Sequence, residues 1–153
     1  MQRKEVIFTS AIMILITYTC TLFLVMQVFP AGQTTLALSS AGSIQTTEGL
    51  RAYSNIECTS PQTSIEWGEL QKGGSTSITI YIKNIGDSPQ TLSLVTSDWS
   101  PTSAADYLTI TWNYNNQPLN PNGVVQVTLT LSVDSSIQGI TNFGVNLLIV
   151  GSA

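Results

Sequence analysis

The 153-residue chain has no histidine, two cysteines and little charge, with five Lys or Arg against nine Asp or Glu. Each shortage excludes something. Without histidine, Ser-His and Cys-His nucleophiles and histidine-based metal centres are unavailable. Ser-Lys chemistry would need Lys72, in a Gly-rich turn, or Lys83, at the outward end of a strand pattern. Glu66 and Glu69 stand three residues apart across a strand end, a spacing that does not fix two carboxylates about a substrate. The expectation is therefore a non-enzyme with no cofactor and no catalytic residue. Calcium needs six to eight converging oxygens. Asn84, Asp87 and Ser88, or Asp98 and Asp106, read more simply as turn residues that bond their own backbone. The acidic balance also excludes nucleic acid, which selects a basic stripe able to release phosphate counterions.

What is present begins with an apolar run. After Met1 to Glu5, the segment "VIFTSAIMILITYTCTLFLVMQVF", residues 6–29, carries no charge and stops at Pro30. As a helix it would span about 36 Å at about 1.5 Å per residue, enough to cross a hydrocarbon core of about 30 Å. It is longer than the apolar core of a secretory signal, and small-x-small cleavage sites are poorly placed behind it, so a retained anchor is favoured over a cleaved leader. Arg3 and Lys4 on the short side put residues 1–5 in the cytoplasm as a stub and the rest of the chain outside the cell. The bilayer is thus the first expected partner. Cys20 falls inside the anchor and Cys58 outside it, so the two cannot pair within one spanning chain. Cys58 reads either as a small buried hydrophobe or as an intermolecular thiol.

Residues 30–49 are rich in Ser, Thr and Gly and read as a tether with one extra strand in it, "LALSSAGSIQT" being the candidate. From residue 50 to 153 the pattern becomes that of short strands: 50–54, 63–67, 75–83, 91–96, 107–114, 124–133 and 143–150. In "SITIYIKNIGDSPQTLSL", Ile78, Ile80 and Ile82 alternate with polar residues, a turn cluster follows, and the alternation resumes. Asn115-Asn116 suits a tight hairpin, and Pro121 with Gly123 another turn. The inward faces follow the period of two: Ile65 and Trp67; Leu108, Ile110, Trp112 and Tyr114; Val125 to Val133; Phe143 to Ile149. Leu148 and Val150, on the other face of the last strand, make it a central strand or one covered by a partner. Seven such strands with turn signals between them read as an all-β sandwich or barrel.

The runs "SIEWGELQKGGSTSITIYIKNIGDSPQTLSLVTSDWSP", "LTITWNYNNQPLNPNGVVQVTLTLSV" and "GITNFGVNLLIVG" resemble the small membrane-anchored immunoglobulin-like β-sandwich proteins of archaeal cell surfaces. The marks are Trp67-Gly68, Gly73-Gly74-Ser75, Lys83-Asn84 with Gly86, Pro89, Trp99 with Pro101, and Trp112. The resemblance implies an antiparallel immunoglobulin-like sandwich of seven to eight strands behind a single transmembrane helix. It implies an address at the cell envelope and transfers no catalytic residue. The paired cysteines of antibody domains are absent.

The expected role is a structural or interaction module outside the membrane. A pilin-like or strand-donating filament subunit is the alternative, with a homo-oligomer or an envelope protein as partner. Trp99, flanked by Asp98 and Ser100-Pro101, is the candidate anchor for a glycan or protein ligand, against its reading as a plug for one end of the sandwich.

Overall fold

Period-two apolar runs form strands wherever polar turns interrupt them. The computed structural model describes residues 38–153, so the expected anchor, residues 1–37 and Cys20 lie outside the described residues. Among the described residues no helix is long and apolar enough to cross a membrane. In chain order the strands are β1 (Ser39–Thr46), β2 (Leu50–Tyr53), β3 (Ser64–Glu66), β4 (Ser75–Asn84), β5 (Thr91–Ser100), β6 (Leu108–Trp112), β7 (Val124–Val133) and β8 (Asn142–Ser152). One short 3-10 helix, Thr102–Asp106, joins β5 to β6.

The strands form two four-stranded sheets, ordered β3-β1-β8-β5 and β2-β4-β7-β6. All pairings are antiparallel except one: β1 runs parallel to β8, from Ser39 opposite Asn142 to Thr46 opposite Ile149. The fold is thus a two-layer all-β sandwich. Its core lies between the sheets, where Ile80 and Ile82 of β4, Val127, Leu129 and Leu131 of β7, and Leu147 and Ile149 of β8 are almost wholly buried. Each such side chain stabilises the fold by roughly 1.5–3 kcal/mol through removal of apolar surface from water.

The seven strands read from the sequence are all present, and β7 has the expected bounds. β8 is central, lying between β1 and β5, which accounts for the half-buried Leu148 and Val150 on its outer face. Three details differ from expectation. The sandwich begins before Leu50, because β1 takes an interior place in the first sheet and Leu38 is fully buried. β5 runs on to Ser100, past a register shift between Ser97 and Ser100 where Asp98 adopts φ +52. No tight hairpin closes at Asn115-Asn116. β6 stops at Trp112, and the chain from Asn113 to Gly123 is tied down by reciprocal bonds between Gln90 and Leu119, 3.0 and 2.8 Å. The turn before β7 is closed by Gly123 N–H donating to Asn120 C=O, 2.8 Å, with Asn122 at φ +62.

Among the described residues two polar side chains are buried, Ser40 in β1 and Asn84. Asn84, at the end of β4, is fully buried. Its amide donates to the carbonyls of Ser88 and Leu119, both at 2.8 Å, and its side-chain oxygen accepts from Gly86 N–H at 2.9 Å. Its backbone bonds Gly123 and Asn122 as well. The Lys83-Asn84-x-Gly86 motif is therefore a stitch joining the β4–β5 turn to the β6–β7 connection.

Removing the stitch orphans two carbonyls and one N–H away from water. Asn84→Ala should cost about 3 kcal/mol, since each buried unpaired group costs about 1–3 kcal/mol and water recovers part of the loss. Denaturant melts compare it with Ser77→Ala on the exposed face, which should change stability by about 0.5 kcal/mol or less.

Candidate functional site

Three surfaces hold the side chains capable of recognition. The first is the outer face of the second sheet. Strand alternation turns Ser75, Ser77 and Thr79 of β4, Thr128, Thr130 and Ser132 of β7, and Thr109 and Thr111 of β6 away from the core. The register sets them in rows: Ser75 opposite Ser132, Ser77 opposite Thr130, Thr79 opposite Thr128, with Thr109 and Thr111 beside Ser132 and Thr130. Ser77 and Thr130 hydroxyls are 2.9 Å apart, and Thr79 and Thr128 hydroxyls 3.5 Å apart. The result is an uncharged hydroxyl ladder across three strands. It can exchange hydrogen bonds with a polar partner without ion pairing, and it has no group suited to activating a nucleophile.

The second surface is the Trp99 end of the first sheet. The sequence reading put Trp99 in a loop; it lies in β5, just beyond the bulge. The bulge turns its ring onto the core, where it is half-buried and tilted against Phe143 with centroids 6.1 Å apart. Asp98, beside it, accepts from Asn146 Nδ2 at 2.8 Å and from Ser97 Oγ at 3.1 Å. Ser43 of β1 donates in turn to Asn146 Oδ1. A polar clasp Ser43–Asn146–Asp98–Ser97 thus crosses β1, β8 and β5 on their outer face. Trp99 packs as part of the end of the sandwich and offers a partner one edge of its ring.

The third surface is an open depression of about 870 Å³ lined by Glu48, Gly49, Ile85, Gly86, Asp87, Gln90, Pro121 and Asn122. It lies above the Asn84 stitch. Asn84 itself, offered by the sequence as a calcium ligand, has its oxygen turned inward onto Gly86 N–H. Asp87 is exposed and receives the Ser88 hydroxyl at 3.3 Å. Among the described residues no three His, Cys, Asp or Glu side chains converge as a metal site would require.

Cys58 is not buried in the core. It is half-exposed in the Asn55–Ser60 loop, at φ +53, with its sulfur 3.5 Å from the Ile56 carbonyl. The loop is organised by Asn55, whose oxygen accepts from Thr59 and Ser60 N–H at 3.1 and 3.0 Å. Its short polar sequence leaves nothing to cover the thiol. Elsewhere, Asp134 accepts from the Ser136 hydroxyl and the Ser136 N–H, both at 2.7 Å, and these bonds hold its carboxyl below the usual range. That is turn chemistry of the kind the Asp and Asn residues suggested.

Compared with models of known protein families and with curated proteins, the chain matches none. The site is thus read from its own residues.

Because Trp99 is half-buried on Phe143, Trp99→Ala should lose about 2 kcal/mol of stability, below the about 3–5 kcal/mol of a fully buried Trp. Trp99→Phe should restore most of it. Denaturant melts give both values; an unchanged midpoint for Trp99→Ala would show that the ring packs on nothing.

Proposed function

We propose that this chain is a membrane-tethered, extracellular immunoglobulin-like module with a non-enzymatic structural or interaction role at the cell envelope, akin to the small anchored surface proteins of archaea. The observation that carries the reading is the hydroxyl ladder of β4, β7 and β6. A regular row of hydroxyls in register, with Arg51 and Lys83 at one end of the same face, suits lateral contact with polar neighbours. The polar residues that sequence reasoning weighed for chemistry support it too. Asn84 and Asp98 spend their bonds on the fold.

The strand order supports the immunoglobulin-like part. In the seven-strand immunoglobulin order one sheet holds the first, second, fifth and fourth strands, and the other the third, sixth and seventh. Counting from β2 and passing over the short β3, the sheet β2-β4-β7-β6 follows the first rule, and β5 beside β8 begins the second. The address rests on the sequence: an uncharged run at residues 6–29 with Arg3 and Lys4 before it.

A protease added to intact cells lacking an outer barrier should remove an epitope placed within residues 50–153 and leave a cytoplasmic control protein whole. Full survival of the epitope, with digestion after the cells are opened, would place the module inside and end this reading.

A further inference from the structure

The seventh place of that order, beside β8, is held by β1. A strand following β8 through a hairpin would run antiparallel to it; β1 comes from the other end of the described chain and runs parallel. It enters between β3 and β8 as a separate piece. Its inward side chains are Leu38, Ser40, Gly42 and Ile44, all buried, and two of them are small. The slot is shaped from the other side. A Cβ at Gly42 would lie 3.2 Å from Leu147 Cδ1 and 3.5 Å from Trp67 Nε1. That indole N–H is buried without a hydrogen-bond partner. β1 is held by its ladder, by burial of Leu38 and Ile44, and by bonds at its rim: Ile44 N–H to Thr63 C=O at 2.9 Å, Thr47 N–H to Ile149 C=O at 3.0 Å, Gly151 N–H to Thr47 Oγ1 at 3.0 Å, Ser40 Oγ to Gly68 C=O at 3.4 Å, Thr46 Oγ1 to Leu50 C=O at 2.9 Å, and the Ser43–Asn146 bond.

We propose that the partner of this module is a second copy of the same chain, joined by exchange of β1: the strand of one copy lies in the β3–β8 slot of the next. The fit needs no new surface, because an identical β1 makes the same pairs with β8 and β3 of a neighbour. Sheet-edge addition of this kind takes its affinity from main-chain bonds and its register from alternate side chains. The hinge decides the balance. Within one copy the chain must pass from β1 in one sheet to β2 in the other through Thr47, Glu48 and Gly49, with Leu50 N–H folded back on Thr47 C=O at 3.1 Å and Gly49 at φ +86. Opening that turn frees β1 to reach outward, and a three-residue hinge is short enough for exchange to compete with closure within one copy. β2 and β4 keep their own pairing and the Asn84 stitch when β1 leaves. Head-to-tail repetition gives a chain of modules, and a reciprocal exchange gives a closed pair. The inference rests on the surface-module reading, in which copies anchored to one membrane meet at high local concentration.

The test uses the full chain in membranes. Two differently tagged versions, both with Cys20→Ala and Cys58→Ser, are co-expressed; one carries Ser43→Cys and the other Asn146→Cys, positions paired in register. A short bismaleimide should yield a band of twice the monomer mass bearing both tags. The pair Gln45→Cys and Leu148→Cys, in the same register, should do the same and guards against one pair perturbing the fold. Ser77→Cys, exposed on β4 in the other sheet, replaces Asn146→Cys as the control for mere proximity and should give little product. Exchange is overturned if the two-tag band is absent while the Ser43→Cys/Asn146→Cys double variant locks within one chain. It is equally overturned if the Ser77→Cys control links as well, or if no combination links. None of these failures alters the protease result that decides the surface-module reading.

Discussion

The buried amide of Asn84 is the interaction on which the rest of the sandwich depends. A core made by period-two strands has no intrinsic way to fix how its loops leave each end. Asn84 does so by satisfying three backbone groups from two segments at once: Gly86 and Ser88 in the β4–β5 turn and Leu119 in the β6–β7 connection. The β4–β5 turn, the long β6–β7 connection and the start of β7 are tied to one point. The same end receives the β1–β2 turn, since Ile85 and Gly86 N–H both donate to Gly49 C=O, at 2.8 and 3.2 Å. The side chain of Gln90 completes the packing there by lying over Gly151, where a Cβ would collide with it. A leucine of similar volume could fill the space of Asn84 but would take a buried bond from the Leu119 carbonyl and half-buried ones from Ser88 and Gly86, which is costly.

The molecule is thereby built in two tiers. The second sheet, with β5 and β8, has long antiparallel pairings and the large buried side chains. β1 adds eight residues of parallel pairing and few large apolar groups. The ring of Trp67 packs the slot, yet its N–H finds no acceptor beneath Gly42. An unpaired buried donor weakens that neighbourhood, as the unpaired Gln90 Oε1 does at the Asn84 end. The outer faces divide in the same way. The hydroxyl ladder lies on the sheet that the stitch secures, whereas the Ser43–Asn146–Asp98 clasp lies where β1 docks.

Much of this was legible in the sequence, because burial and alternation coincide in "SITIYIK", "VQVTLTLSV" and "FGVNLLIV". The misses have physical causes. β1 is legible as an extra strand, but its interior place is not, because its inward positions include Ser40 and Gly42, which fit only because Trp67 and Leu147 fill the space they leave. Its signal was the absence of charge and the small-apolar alternation from Leu38 to Ile44. Trp99 looked like a loop residue because Asp98, Ser100 and Pro101 are turn formers; a bulge lets the strand continue and brings the ring inward. Tyr114 looked like a strand residue facing the core. Its ring does pack against the core, but it lies past the end of β6, and its hydroxyl accepts from Leu92 N–H and donates to the Gln117 carbonyl. Asn84 was read as a turn residue, and its role depends on Leu119, thirty-five positions away, which no local pattern reveals.

A stitched body carrying a separable terminal strand differs from a uniformly cooperative sandwich in how its amides open. Native-state hydrogen exchange measured residue by residue is the most direct test. The account predicts that the Ile44 and Thr47 amides exchange through an opening of lower free energy than those of Val127 and Leu129, while the Gly86 and Asn122 amides behave like the β7 amides. A single shared opening free energy for β1 and β7 would contradict it.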